Sequence, residues 1–195
     1  MDQICINKSK NKTIVFIHGF YANPGYWLPY LESFKNYKIV LLNIDYATLL
    51  KSNDVIDSIQ KLFTDKNFGN NVTALISHSL GTVISNFLDL DTMSKRFEIC
   101  PVGFSKRSDT RGFITDLKTR VNEHEQVIET NLLLVDKLIN ECEGYLYKTA
   151  IRYIPNLDQY FIYNHILSEF TIFEGDHFEI NEAIKDISRK INQFT

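Results

Sequence analysis

Short runs of unbroken apolar residues alternate along the chain with stretches of helical spacing. Residues 13–17, TIVFI, end in His18-Gly19, and residues 38–44, KIVLLNI, and 71–76, NVTALI, share their β-branched character. Runs of this length predict strands, and strands apolar on both sides suit a parallel sheet covered on both faces. Between them, residues 53–65 place Val55, Ile59, Leu62 and Phe63 on one helical stripe, with Asn53 or Asp54 as N-cap. Residues 80–90 predict a second helix, and residues 97–102, FEICPV, a further strand. Strand and helix in alternation predict the α/β class with a mostly parallel sheet flanked by helices.

The alternation breaks between about 105 and 145, where no strand candidate stands. Leu117, Val121, Ile128, Leu132, Val135, Ile139 and Cys142 recur there at helical spacing, so this stretch predicts an inserted helical segment. Strand character returns at 149–154, TAIRYI, and at 169–173, EFTIF. A last helix is predicted over 179–194, with Ile180, Ile184, Ile187, Ile191 and Phe194 as its stripe. No repeat or linker divides the chain. The expectation is one domain, with a core of 1–104 and 146–195 and a helical cap over 105–145.

Composition narrows the function classes. The 195 residues are 44% hydrophobic, enough for one core and too few for two ordinary domains. Lys plus Arg is 21 against 24 for Asp plus Glu, a net charge of −3. That balance argues against a protein built to coat nucleic acid or a membrane surface. Gly at 8 and Pro at 4 exclude a collagen-like or low-complexity chain, and 13% aromatic residues argue against disorder. Cys5, Cys100 and Cys142 stand far apart with no CxxC pair, which reads as thiols in a reducing compartment and not as a disulfide framework or metal site. The start, MDQICINKSK, has no apolar h-region, and no apolar run approaches the roughly 20 residues of a membrane span. A soluble, cytoplasmic, monomeric protein without a membrane span or nucleic-acid partner is expected.

The most informative stretch is residues 72–84, VTALISHSLGTVI. A strand runs into Ser77-His78-Ser79-Leu80-Gly81 and a helix follows, the small-x-Ser-x-Gly pattern of a nucleophile elbow. Ser77 and Gly81 supply the small residues on either side, although a glycine usually stands where Ser77 does. The helix that starts after Ser79 would aim its N–H groups at a developing oxyanion. The same residues also fit a serine that only caps a helix between strand and helix.

Residues 14–20, IVFIHGF, end in His-Gly-aromatic and resemble the oxyanion loop of the α/β-hydrolase superfamily. That resemblance implies an α/β-hydrolase fold with the amides of Phe20 and Leu80 as oxyanion donors. His18 would tie the loop together, and His18, His78 and Trp27 would border the substrate pocket. Glu174-Gly175-Asp176-His177-Phe178, between a strand and the last helix, resembles the superfamily's general-base loop, and its GDHF form is similar to the thioesterase branch. His177 would be the base. The superfamily order places an acid between Ser79 and His177. Asp158, after the strand at 149–154, is the expected acid; beside Pro155 and Asn156 it also fits a plain turn. Asp109 is the second candidate. Asp176 is a poor one, since neighbouring side chains in a loop rarely face each other. Asp45 resembles a structural family position, with Tyr46-Ala47-Thr48 in place of the usual glycine turn.

The implied chemistry is acyl transfer to water without a cofactor: Ser79 attacks an ester or thioester carbonyl and His177 takes its proton. Lys106, Arg107, Arg111, Lys118 and Arg120 face only Asp109 and Asp116 within 105–120, a local charge of +3. Such a patch suits docking of an acidic acyl carrier protein, and it equally suits a solvated helix face. His18-Gly19-Phe20 with Pro24-Gly25-Tyr26-Trp27 is similar to the biotin-pathway esterases that cleave the methyl ester of pimeloyl carrier protein. An acyl-carrier or acyl-CoA thioesterase is the close rival, and a catalytically silent binding module is the reading from another class. An epoxide hydrolase or dehalogenase needs a carboxylate where Ser79 stands. Nucleotide-binding glycine motifs are absent from the sequence.

Overall fold

The computed structural model describes residues 2–64, 68, 71–88, 94–107, 110–121, 123–142, 149–158, 161–163 and 170–193. Seven strands form the main sheet: β1 (Asp2–Ile6), β2 (Thr13–Ile17), β3 (Lys38–Asn43), β4 (Val72–His78), β5 (Lys95–Ile99), β7 (Ile151–Pro155) and β9 (Phe170–Phe173). Their order is β1-β3-β2-β4-β5-β7-β9, and only β1 runs antiparallel to its neighbour. Six of them arise from the apolar runs read in the sequence. Strand β1 does not, because its residues are exposed or half-buried and lack a continuous apolar run.

Alternation along each strand divides the core into two layers. Ile14 and Phe16 of β2 face a layer that holds Phe34, Ile184, Ile187 and Ile191, whereas Val15 and Ile17 face a second layer with Ile59, Val83 and Ile84. The first layer is closed by a 3-10 segment, Pro24–Phe34, and by α6 (Asn181–Gln193). Helix α6 buries Ile184, Ile187 and Ile191 of the predicted stripe together with Ala183; Ile180 is buried just before the helix, and Phe194 lies outside the described residues. The second layer is closed by α1 (Tyr46–Leu50), α2 (Val55–Thr64) and α3 (Leu80–Ser85). Asp54 caps α2 by accepting the Asp57 N–H at 2.9 Å.

The segment after β5 is mainly helical, with α4 (Thr110–Val121) and α5 (Glu125–Glu141). Ile114, Leu117, Ile128, Leu132, Val135 and Leu138 join the same apolar cluster as Leu49 and Leu50 of α1. One expectation needs correction here. The stretch from 105 onward does contain a strand: β6 (Ser105–Arg107) pairs antiparallel with β8 (Phe161–Tyr163) in a separate two-stranded ribbon. Three residues are too short to leave a periodic signal. Among the described residues, no helix is long and apolar enough to cross a membrane.

Two close contacts at the centre of the sheet carry measurable consequences. A Cβ on Gly81 would lie 2.6 Å from the His18 carbonyl oxygen and 2.8 Å from that of Ile17, and neither backbone group can yield. Ser77 is buried, yet its hydroxyl makes only long bonds, 3.4 Å to the Phe97 carbonyl and 3.5 Å to Ser85 Oγ. Gly81→Ala is therefore expected to cost at least about 1–3 kcal/mol in urea titration. Ser77→Gly should cost no more than about 1 kcal/mol. A reversed ranking would contradict the packing. Glu98 of β5 and Arg152 of β7 stand in register and pair at 2.9 Å with side chains 3% and 6% exposed. Burial outweighs the pull of Arg152 and pushes the Glu98 pKa up to about 7. Arg152→Ala should lose about 3–5 kcal/mol at pH 8, where Glu98 would otherwise be ionised and unpaired. The loss should shrink at pH 5, because the folded state there already holds Glu98 as the neutral acid. Equal losses at the two pH values would refute this account.

Candidate active site

Strand β4 ends in a sharp turn at Ser79, whose φ of 51° and ψ of −127° lie where side chains are rarely tolerated. The turn is fixed from both sides. Ser79 N–H donates to the Ile99 carbonyl at 3.0 Å, and the Ser79 carbonyl accepts the Thr82 N–H at 2.9 Å and its hydroxyl at 2.7 Å. A Cβ on Gly19 would lie 2.8 Å from Ser79 Cβ, so only glycine lets this loop approach so closely. Phe20 follows Gly19 in the loop, and Leu80 N–H opens α3 directly after Ser79.

His177 and Asp158 complete a hydrogen-bonded series. His177 Nε2 is 3.1 Å from Ser79 Oγ, and His177 Nδ1 is 3.2 Å from Asp158 Oδ2. The carboxylate accepts, so Nδ1 carries the proton and Nε2 presents its lone pair to Ser79. The side chains of His177 and Asp158 are 3% and 2% exposed. Asp158 Oδ1 accepts the Phe161 N–H at 3.0 Å, and Oδ2 accepts the Tyr163 hydroxyl at 3.0 Å. Both donors come from β8. Phe161 and Tyr163 were not singled out in the sequence, because a three-residue strand offers no pattern to flag them.

The loop that carries His177 is shaped by Asp176, whose Oδ1 accepts the N–H groups of Phe178 at 2.6 Å and Glu179 at 2.8 Å. Asp176 thus turns the loop and does not face the imidazole. Gly175 has a φ of 153°, and a Cβ there would lie 2.1 Å from the Glu179 carbonyl oxygen. Asp45 is exposed and caps α1 through the Thr48 N–H and hydroxyl. Asp109 lies outside the described residues.

Two expectations about the pocket are corrected. His18 is fully buried; its Nε2 accepts the Ile44 N–H at 3.1 Å, so Nδ1–H donates to the Gly19 carbonyl at 2.9 Å. Burial lowers its pKa, and a neutral ring joins the end of β2 to the segment after β3. Trp27 is also fully buried, behind Tyr26 and His78, where it packs on Phe16. A large apolar ring in a loop finds more contact in the core than at a pocket wall. His78 does border the cleft.

That cleft has a volume of about 330 Å³. Phe20, Tyr21, Tyr26, Leu117 and Phe178 form its walls, and Ser79 and His177 lie in its lining. Leu117 comes from α4, so the helical segment after β5 reaches the cleft. Tyr21 ties the loop to the insertion: its hydroxyl accepts from Asn131 Nδ2 at 2.9 Å and donates to Glu123 Oε2 at 3.3 Å. Cys100 Sγ, a carboxylate oxygen of Asp158 and a ring nitrogen of His177 lie within 4.8 Å of one another. A soft cation could use these donors only by breaking the Asp158–His177 hydrogen bond. Lys118 is exposed, 3.7 Å from Glu125. The side chains of Lys106, Arg107, Arg111 and Arg120 lie outside the described part of the structure.

No family model matches the chain, and no curated protein matches it. Solved structures do. A lipase-esterase related protein from Clostridium acetobutylicum ATCC 824 is 16% identical with a TM-score of 0.59, over 100% of this chain and 99% of that one. An alpha/beta hydrolase fold protein from Burkholderia ambifaria is 9% identical with a TM-score of 0.59, over 98% and 93%. The thioesterase domain SrfTE, which cyclises the lipopeptide surfactin, is 14% identical with a TM-score of 0.51, over 99% and 95%. At these identities the likeness speaks to architecture, and the mostly parallel sheet agrees with it: the chain has the α/β-hydrolase fold.

Proposed function

We propose that the protein is a serine hydrolase that cleaves a carboxylic ester or thioester through an acyl-enzyme. The observation that carries this reading is the hydrogen-bonded series Ser79–His177–Asp158, closed at 3.1 and 3.2 Å beside a cleft of acyl-group size. Ser79 Oγ attacks the carbonyl carbon while His177 Nε2 takes its proton. The amides of Phe20 and Leu80 receive the negative charge on the carbonyl oxygen. The bond to the alcohol or thiol breaks, and that leaving group takes the proton from Nε2. Water then attacks the acyl-enzyme, giving its proton to Nε2, and the free acid departs as Ser79 regains its hydrogen. Asp158 orients the imidazole and stabilises its charged form.

The wall of Phe20, Tyr21, Tyr26, Leu117 and Phe178 favours an apolar acyl group. Within this reading the substrate is an acyl ester borne on an acidic carrier, such as the methyl ester of pimeloyl carrier protein. The helical segment that reaches the cleft and the basic run of 105–120 support it. The withdrawal of Trp27 into the core removes one feature that had suggested it. A carrier-bound or CoA thioester is the alternative, favoured by the likeness to the SrfTE thioesterase domain. A silent binding module has no need of a hydrogen-bonded base beside an elbow serine in the lining of a cleft.

Ser79→Ala and His177→Ala should each lower turnover of short p-nitrophenyl esters by at least about a thousandfold, and Ser79→Ala should abolish labelling by a fluorophosphonate. Asp158→Asn should cost far more than Asp109→Asn. Most activity surviving in Ser79→Ala would end the hydrolase reading, and a reversed order of the aspartates would move the acid. For the substrate, methyl-ester and thioester hydrolysis should be compared on carrier-bound and free acyl chains. Raising salt should slow only carrier-bound substrates. Equal salt dependence for free substrates would remove the docking role of the basic run.

A further inference from the structure

His78 lies one residue before Ser79, at the end of β4, and is 3% exposed. Its Nε2 is 2.8 Å from the His177 carbonyl oxygen. A carbonyl only accepts, so Nε2 carries the hydrogen and Nδ1 is a bare lone pair. That Nδ1 is buried without a partner. An unmet buried acceptor is a cost that a Phe or Leu at this position would avoid. What a histidine supplies here, and an apolar residue cannot, is the single Nε2–H donor. Burial, with the neighbouring His177, pushes its pKa down to about 3, so the ring is neutral and keeps this one-donor form at neutral pH.

The ring is not alone. Tyr26 stacks on it with centroids 4.9 Å apart and planes at 27°, and the Tyr26 hydroxyl donates to the Phe178 carbonyl at 3.4 Å. Two stacked rings therefore hold two successive carbonyls of one loop. Two further ties on that loop act elsewhere. Asp176 bonds within it, and Asn156 Oδ1 holds the Gly175 N–H at 3.2 Å from the end of β7. Neither reaches β4. Cys100 Sγ approaches the His177 carbonyl at 3.8 Å, a weak sulfur contact from the end of β5. His78 joins the base loop to the strand that carries the serine, and Tyr26 joins it to the segment after the Gly19–Phe20 loop.

The geometry points to the stacked Tyr26–His78 pair as a clamp that positions His177 against Ser79. The inference rests on the serine-hydrolase reading above and adds two positioning residues to it. The clamp fixes the backbone of His177, and through it the 3.1 Å between Nε2 and Ser79 Oγ. Misplacement of reacting groups by about 1 Å can cost about a hundredfold in rate.

The test uses the full chain and a fluorophosphonate together with short p-nitrophenyl esters. His78→Phe keeps the ring volume and the stack but cannot donate. It should lower kcat and the first-order rate of Ser79 labelling about 10- to 100-fold, with KM within about threefold of the parent. His78→Gln, whose amide nitrogen reaches the place of Nε2, should recover most of that loss. Tyr26→Phe keeps the stack and removes the longer bond, and should lower the labelling rate about threefold to tenfold. Circular dichroism and urea midpoints report that each variant is folded. Two outcomes overturn the clamp: His78→Phe labelling within about threefold of the parent, or His78→Gln as impaired as His78→Phe. If His78→Phe fails to fold, His78→Gln and Tyr26→Phe decide it, and a parent-like rate in Tyr26→Phe removes the pair. Failure of the underlying reading looks different, because Ser79→Ala would then retain turnover whatever the clamp variants do.

Discussion

One backbone conformation governs the rest of the site. At Ser79 the chain leaves a central strand with φ at 51°, a geometry that costs of order 1–3 kcal/mol in a residue with a side chain. Its surroundings must over-determine it, and they do. The Ser79 N–H is tied to β5, and its carbonyl is tied to the first turn of α3. Gly19 presses against Ser79 from the end of β2, and Gly81 of α3 presses against the Ile17 and His18 carbonyls, at distances where any Cβ would collide. The turn, the strand next to it and the loop beyond that strand thus form one rigid body, and Oγ is held out at the carboxyl end of the sheet.

The parallel sheet does the remaining assembly. Asp158 follows β7 and His177 follows β9, and both strands point the same way as β4. Their following loops therefore meet at one end of the sheet, where ligands bind in folds of this class. Chain order alone does not set the distances. Those depend on side chains outside the series: Tyr163 and the Phe161 amide on the carboxylate, Asp176 within the base loop, and His78 on the His177 carbonyl. Cys100 shows a second residue forced into the same backbone region, with φ also 51°, at the end of the adjacent strand. Consecutive parallel strands end in similar kinks, and the sulfur is brought beside Asp158 and His177.

What the sequence made legible follows from burial. The strands β2, β3 and β4 announced themselves because both faces of the sheet are covered there, so most of their positions are apolar; β5, β7 and β9 were legible from shorter apolar runs. Helix α6 was equally plain, since one face is buried and the other is charged. Strand β1 was hidden because an edge strand with exposed residues has no apolar run. The β6–β8 ribbon was hidden by its length. Among site residues, Ser79 and His177 stood in motifs whose spacing reflects backbone geometry. Asp158 had position but no motif. His18 and Trp27 were misplaced for one reason: neighbours in sequence to a cleft residue need not border the cleft, and both turn inward, His18 to hydrogen-bond backbone with both ring nitrogens and Trp27 to bury its ring on Phe16. Tyr163, Tyr26 and the donor role of His78 depend on long-range contacts that no local pattern encodes.

The helical segment after β5 is tied to several groups around the cleft. Its apolar stripe merges with that of α1, and Leu117 reaches the cleft wall. Asn131 and Glu123 hold the hydroxyl of Tyr21, the residue after Phe20, which itself has a φ of 58°. At its other root, β6 pairs with β8, and β8 supplies both groups that hold the Asp158 carboxylate. The segment thus meets Tyr21, beside the proposed oxyanion loop, through Glu123 and Asn131, and reaches the proposed acid only through β8. A change in how it sits would be felt at two of the groups around Ser79 at once. The net charge of −3 hides a run of +3 over 105–120, and the backbone of that run begins in β6, the strand paired with β8.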